Sequence, residues 1–221
     1  LSSIVVSQQP TAATEMEAQV QVERIGKLHR PPLFKIFFDT LPEGSPQLTR
    51  QTLRAAVQEA KRQGMRPVIH IGSSADMVTA AEEGAALLMH PPSKDVLSNE
   101  QIATLARIKT PFVTTLRTLQ AMDEVAQTGG TPLERELMDA RLLECFAHKP
   151  IGFAIQGFEK LEKEFPKAAL RMRQNIQRLA RAGVPFFVGT DAGVFGVFPG
   201  ASLHGEIGEL AKAGLPPVEI L

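Results

Sequence analysis

Tryptophan and tyrosine are absent from the sequence. The rings that usually stack on nucleic-acid bases would have to come from phenylalanine or histidine, which argues against nucleic-acid binding. Charge argues the same way. Twenty-four basic and 24 acidic residues cancel, so no net field draws the chain toward nucleic acid, an anionic membrane or an acidic substrate. The one cysteine, Cys145, cannot form an internal disulfide, so no disulfide scaffold holds the fold. A long apolar run is also missing. The stretch with least charge, Pro185 to Leu203, carries only Asp191, but its four glycines and two prolines are unsuited to a membrane-spanning helix. The first residues, LSSIVVSQQP, lack the basic and long apolar regions of a signal peptide. The chain opens at Leu1, and only Val218 to Leu221 follow the helix-opening pair Pro216 and Pro217, so it reads as a piece of a longer protein. What is present is ordinary for a globular domain: 43% apolar and 22% charged residues. With 221 residues the chain reads as one domain, or a large piece of one, able to bury roughly 70% of its unfolded surface.

A grammar recurs along the centre of the chain. A helix ends at a small or basic turn, a short apolar run follows, and a polar residue closes the run. AVQEAKRQG-MRPVIH closes at His70, MVTAAEEG-AALLMH at His90, IATLARIK-TPFVTTL near Thr115 and NIQRLARAG-VPFFVGTD at Asp191. Gly64, Gly84 and Gly183 suit the residue after a helix, where left-handed backbone is needed. The runs Pro67–Ile71, Ala86–Met89, Pro111–Thr115 and Pro185–Val188 are continuous rather than alternating, which predicts strands of a parallel sheet buried on both faces. Helix starts are marked by Thr49, by Ser98 with Gln101, and by Thr131 with Pro132 and Glu134. Residues 7–20 read as a loop, and about 122–163 as a helical insertion with a short strand at Ile151–Gln156. Pro166 reads as the opening of a helix running to about Ala182. Alternating strand and helix with short links means α/β.

In a parallel α/β barrel, functional groups collect on one rim, at the C-terminal ends of the strands. His70, His90 and Asp191 occupy run ends, and Lys35 lies inside LFKIFFD. The separations, 35 residues from Lys35 to His70, 20 to His90 and 101 to Asp191, suit successive strand–helix–strand steps, the last including the insertion. Imidazole and carboxylate are ligand types for a divalent metal such as zinc, and Asp191 would also suit proton transfer from a water. Lys35 is the most unusual. Flanked by Leu33, Phe34, Ile36, Phe37 and Phe38, its ammonium would be costly to bury, and desolvation favours the neutral amine, which carbon dioxide can carboxylate. Each residue also has a plainer reading: a lysine stem packed with its head in water, polar punctuation at strand ends, and an aspartate capping the Asp-Ala-Gly turn. His204 would either touch substrate or mark a polar helix face. Cys145, among Leu142, Leu143 and Phe146, reads as a small buried apolar residue. The arginines of LRMRQNIQRLAR, at 171, 173, 178 and 181, read as a solvated helix face rather than a phosphate patch. His29 and His148 carry no assignment.

Taken together, LFKIFFDT, AVQEAKRQGMRPVIHIG, AAEEGAALLMHPP, LARAGVPFFVGTDAGVFG and ASLHGEIGELAKAGLPPVEIL resemble the C-terminal half of the amidohydrolase superfamily, in its imidazolonepropionase-like and prolidase-like branch. GTDAG with LHGEI and AGLPP is the most specific part. The resemblance covers the chain from about residue 20 onward. It implies a (β/α)8 barrel of the TIM type, of which strands four to eight are present. It further implies one or two divalent metals, with Lys35 as a carboxylated bridging ligand, His70 and His90 as metal ligands, and Asp191 as ligand and proton shuttle. The family's first-strand His-x-His pair does not occur in these residues. Two functions are therefore carried forward. The first is a metal-dependent hydrolase of amide-type bonds in dipeptides, N-acyl amino acids or cyclic amides. The second is a non-catalytic or truncated barrel half that binds or assembles. Half a barrel alone would expose strand edges and apolar faces, so a chain of these residues is expected to form a homo-oligomer, aggregate or fold poorly.

Overall fold

A computed structural model describes residues 12–40, 46–147 and 158–220. The elements alternate: α1 (Glu15–His29), β1 (Leu33–Phe38), α2 (Arg50–Arg62), β2 (Arg66–Ile71), α3 (Ser74–Glu82), β3 (Leu87–Met89), α4 (Asn99–Ile108) and β4 (Phe112–Val113). Three helices follow, α5 (Arg117–Thr128), α6 (Pro132–Leu137) and α7 (Ala140–Ala147), then α8 (Phe158–Arg181), β5 (Phe186–Phe187), α9 (Ala201–Lys212) and α10 (Pro217–Ile220). All five strands are parallel and lie side by side in chain order, β1-β2-β3-β4-β5. The expected helix signals operate. Ser98 and Thr131 form capping boxes and Thr49 caps α2, while Gly64, Gly84 and Gly183 take φ of 76°, 89° and 72° beyond their helices.

The pairing register sorts the strand residues into two rows. Ile36, Ile69, Leu88, Phe112 and Phe186 are mutual neighbours, and the first four are buried. Leu53 and Val57 of α2, Met77 of α3, Leu105 of α4 and Ile176 of α8 join them in the main core. Phe37, His70, Met89, Val113 and Phe187 form the next row, on the other face. That face is open: Leu33, Phe37 and Phe187 are 51%, 40% and 59% exposed, and His70, Met89 and Val113 are half-buried. Among the described residues the expectation of burial on both faces therefore holds fully for one face and only in part for the other, where Val68 is buried. A continuous apolar run gives each strand two apolar faces, and the described helices supply a cover for one.

The structure departs from other expectations. Residues 15–20 belong to α1 rather than to a loop, because Thr14 and Glu17 form a capping box and Ala18, Val22 and Gly26 make a buried stripe. Pro166 lies inside α8, which begins eight residues earlier at Phe158 and forgoes one backbone hydrogen bond at the proline. Cys145 is exposed: it stands two residues, about 200° of helix, beyond buried Leu143. Helices α5 to α7 and the start of α8 occupy the described part of the segment read as a helical insertion. The short strand expected at Ile151–Gln156 and His148 lie outside the described residues. Among those residues no helix is long and apolar enough to cross a membrane.

Helix α5 has no side-chain cap of its own, because Leu116 occupies its N-cap. Glu206 of α9, fully buried, accepts from the Leu116 and Arg117 N–H groups at 2.9 and 2.6 Å and supplies the cap from a distance. Burial outweighs these hydrogen bonds and raises the Glu206 pKa above its ordinary value of 4.5. A raised folded-state pKa means that its contribution is fully present below pH ~4.5 and declines as pH rises through the folded value. The stability gap between wild type and Glu206→Gln, measured by denaturant unfolding, should therefore shrink from pH 4 to pH 7. A gap constant with pH would contradict this. The open face generates a second expectation: a protein of these residues alone should elute above monomer mass or precipitate. Phe37→Ser with Phe187→Ser should shift it toward monomer in light scattering, whereas a monodisperse, cooperatively melting wild-type monomer would count against the exposure argument.

Candidate active site

Three strand ends share a backbone peculiarity. His90 follows β3 with φ 73°, Thr115 follows β4 with φ 47°, and Asp191 follows β5 with φ 57°, all in the left-handed region that non-glycine residues avoid. Such strain persists where the surroundings over-determine it. Here it turns the chain at the C-terminal rim, where His70, His90 and Asp191 come together. The His70 and His90 rings lie edge to face with centroids 4.7 Å apart. His90 Nε2 is 3.9 Å from Asp191 Oδ2, and Lys35 is within electrostatic reach of both His90 and Asp191. Phe37 stacks on His70 with centroids 4.3 Å apart and planes 14° from parallel. His204, by contrast, is exposed near the start of α9 and makes no hydrogen bond or ion pair with this cluster.

The environments differ. The Lys35 side chain lies along the open face with Leu33 and Phe37, while Phe34, Ile36 and Phe38 point to the other face. Its flanking apolar residues therefore do not enclose it as the sequence suggested, because a strand alternates. The surrounding protein still desolvates the amine enough to outweigh the attraction of Asp191, and its pKa falls below the ordinary lysine value. For His90, desolvation first, then repulsion from His70 and Lys35, push the imidazole well below the ordinary histidine pKa, so it is neutral. Asp191 does not use its carboxylate on the following turn. Its backbone carbonyl accepts from Val194 N–H at 3.2 Å and closes that turn. Gly189 is required before it, because a Cβ there would come within 2.4 Å of Val113 Cγ1.

Sequence reasoning passed over Asp39, the buried last residue of LFKIFFD. Its Oδ2 lies 3.3 Å from His70 Nε2, and its Oδ1 accepts from Thr40 N–H at 2.7 Å and from Lys94 Nζ. Burial alone would raise its pKa, but the hydrogen bonds from His70 and Lys94 and their charge hold it below the ordinary value. Thr115 was noted only as a run end; its Oγ1 lies 2.7 Å from His90 Nδ1. The period-two pattern places Asp39 on the same face as Lys35 and Phe37, which was the available signal.

The loop after His90 is pinned by α8. Buried Asn175 donates to the Pro92 and Asp95 carbonyls and accepts from Leu97 N–H, each at 2.9 Å. Arg171 donates to Ser93 O at 2.6 Å, and Arg178 to Leu97 O and Asn99. Arg173 pairs with Glu209 at 2.7 Å. Arg171 and Arg178 thus clamp the neighbouring loop through its backbone carbonyls and Arg173 ties α8 to α9, while Arg181 is exposed as a solvated face requires.

The donor types, two imidazoles and a carboxylate, fit a borderline divalent cation such as zinc. The gathering is incomplete: among the described residues no set of three or more His, Cys, Asp or Glu side chains stands ready to hold a metal ion. Two clefts, of about 480 Å³ beside Gly26 and Arg30 and about 1020 Å³ between α5, α8 and α9, are both lined by other residues.

No family model matches the chain, and no curated protein matches it significantly. Solved structures do. A Xaa-Pro dipeptidase with methionine in its active site superposes with a TM-score of 0.67 at 19% identity, covering 99% of this chain and 48% of that one. An amidohydrolase gives 0.65 at 21% identity, covering 94% and 44%. A bottromycin amidohydrolase gives 0.63 at 18% identity, covering 99% and 50%. The chain shares its fold with about half of each of these structures. The chain spans about half the length of these amidohydrolase-type structures.

The α8 clamp is testable. Asn175→Ala leaves one buried N–H and two carbonyls without their partner, so it should cost roughly 2–4 kcal/mol. Denaturant unfolding reads this directly, and a loss under about 0.5 kcal/mol would show that the loop holds without it.

Proposed function

We propose that the chain is the metal-ligating part of a hydrolase that cleaves an amide-type bond in a dipeptide, an N-acyl amino acid or a cyclic amide. The observation that carries the reading is the meeting of His70, His90 and Asp191 at the ends of three parallel strands, with Lys35 in electrostatic reach. A fold of the amidohydrolase type supports it, and on this reading residues 1–221 form strands four to eight of a (β/α)8 barrel. His70 and His90 would hold a divalent cation such as zinc, with Asp191 as a further ligand. The chemistry that such a cation supplies when bound is polarisation of the amide carbonyl and acidification of a water. Asp191 Oδ2 accepts the proton of the attacking water and returns it to the leaving nitrogen. In its neutral form, which burial favours, Lys35 would add through its Nζ lone pair to carbon dioxide and give up an N–H proton to water, leaving an anionic carbamate as an added ligand. His204 contacts the substrate from the start of α9.

The second reading, a binding or assembly module, is favoured by the apolar residues on the open face. One experiment separates the two. The intact protein is assayed against Xaa-Pro and other dipeptides, N-acyl amino acids and cyclic amides, with zinc per chain measured in parallel. Hydrolysis should disappear on chelation and return with zinc. His70→Ala with His90→Ala should lose the metal, while Asp191→Asn should keep it and lower kcat roughly 10²–10⁴-fold. Full activity in Asp191→Asn, or a metal-free wild type without activity on any of these classes, would overturn the hydrolase reading.

A further inference from the structure

The Asp191 carboxylate takes its direction from the backbone. Among the described residues no hydrogen bond holds it, and Oδ2 stands 3.9 Å from His90 Nε2. Where it points follows from the φ of 57° at Asp191 and from the peptide plane that precedes that residue. The plane is gripped from another element. Thr118, in the first turn of α5 and 8% exposed, donates its hydroxyl proton to Thr190 O at 3.0 Å, across 72 residues of chain. We propose that Thr118 is a positioning residue, which through the Thr190 carbonyl holds Asp191 in left-handed backbone and keeps its carboxylate facing His90. The kinetic consequence rests on the hydrolase reading above; the backbone consequence does not.

Three threonines of one segment hold the end of β5. Thr114 N–H meets Phe187 O at 3.0 Å and Thr115 N–H meets Gly189 O at 3.1 Å, continuing the β4–β5 ladder. Beyond them Asp191 leaves extended backbone, and the Thr118 hydroxyl takes the Thr190 carbonyl. A threonine inside a helix ordinarily turns its hydroxyl back to a carbonyl three or four residues earlier. Thr118 gives its one hydroxyl proton to a different strand end instead, so the contact is not a by-product of helix formation. Helix α5 is itself fastened. Glu206 accepts from the Leu116 and Arg117 N–H groups, and Gly205 beside it leaves room for Arg117, whose Nε a Cβ there would approach to 2.8 Å. Glu206 lies 15 residues beyond Asp191. The strand end is thus tied to α5, and α5 to the helix that follows the strand end, which closes a ring of contacts around Asp191. Left-handed backbone is unfavourable for aspartate, so release of Thr190 O lets the peptide plane rotate and the residue relax.

The test uses the intact protein. Thr118→Val keeps the side-chain shape and removes the proton, Thr118→Ala removes it with less bulk, and Thr118→Ser retains it; circular dichroism verifies that each variant is folded. In crystal structures of the metal-free proteins, Thr118→Val and Thr118→Ala should carry Asp191 out of the left-handed region and away from His90, while Thr118→Ser matches wild type. On whichever dipeptide, N-acyl amino acid or cyclic amide the wild type hydrolyses, kcat should fall ~10–100-fold in Thr118→Val and Thr118→Ala, with KM within a few-fold, and recover in Thr118→Ser. The loss should vanish when Thr118→Val is combined with Asp191→Asn, because a residue that acts through Asp191 then has nothing further to lose. An equal loss in both backgrounds, or an unmoved Asp191 in folded Thr118→Val and Thr118→Ala, would overturn the inference. A displaced Asp191 that Thr118→Ser restores, in a protein whose wild type hydrolyses none of these substrates, would uphold the positioning and sink the hydrolase reading alone.

Discussion

The parallel register is the constraint on which the rest depends. Only the observed pairing aligns Ile36, Ile69, Leu88, Phe112 and Phe186 in one row beneath the helices. Because side chains alternate along a strand, a slip of one residue would exchange this row for Phe37, His70, Met89, Val113 and Phe187, placing an imidazole in the dry core. Burying Ile69, Leu88 and Phe112 completely therefore also decides where the polar strand ends go. The core chooses the register, and the register delivers His70, His90 and Asp191 to one rim from positions up to 121 residues apart in sequence.

Register alone does not orient those side chains. The orientation comes from buried polar groups that would be expensive unless matched. Asp39 is matched by a backbone N–H, an ammonium and an imidazole, so its carboxylate ties β1, β2 and the loop after β3 together. That loop is held from behind by Asn175, Arg171 and Arg178 on one side of α8. A helix distant in sequence thus governs where Lys94 stands, and through Asp39 how the His70 ring is turned. The strained backbone at His90, Thr115 and Asp191 is tolerated because hydrogen bonds close around it, including Thr115 N–H to Gly189 O and Val194 N–H to Asp191 O.

Much of this was legible from sequence. Helix caps and following glycines are local signals, and they placed α2, α4 and α6 and the turns before β2, β3 and β5 correctly. The run-ending polar residues were found because a parallel strand places its last residue at the rim. What was illegible depends on partners distant in the chain. Nothing local to LRMRQNIQRLAR reveals that loop carbonyls await its arginines and Asn175. Nothing local to FFDT shows that Gly72 leaves space for Asp39. The α1 helix was missed although Thr14 and Glu17 form a capping box, because its composition outweighed its cap. Pro166 misled because a proline that opens a helix and one carried inside a long helix look alike without knowledge of what precedes them.

The open face constrains both functions by a physical argument. Phe37, Phe187 and Leu33 are exposed on the same surface that carries His70 and Lys35. Apolar side chains at the density of a sheet interior do not belong in water, and desolvated groups such as Lys35 and His90 change their chemistry further only if water is excluded from above them. A cover over this face would satisfy both demands at once, burying the apolar row and drying the rim. On the hydrolase reading the cover must also bring metal-ligating groups, because two imidazoles and one carboxylate leave a cation under-coordinated; on the binding-module reading it need bring none. The donors that meet the rim from across the open face, rather than any residue within the sheet, therefore decide whether His70 and His90 hold a metal or only each other's company.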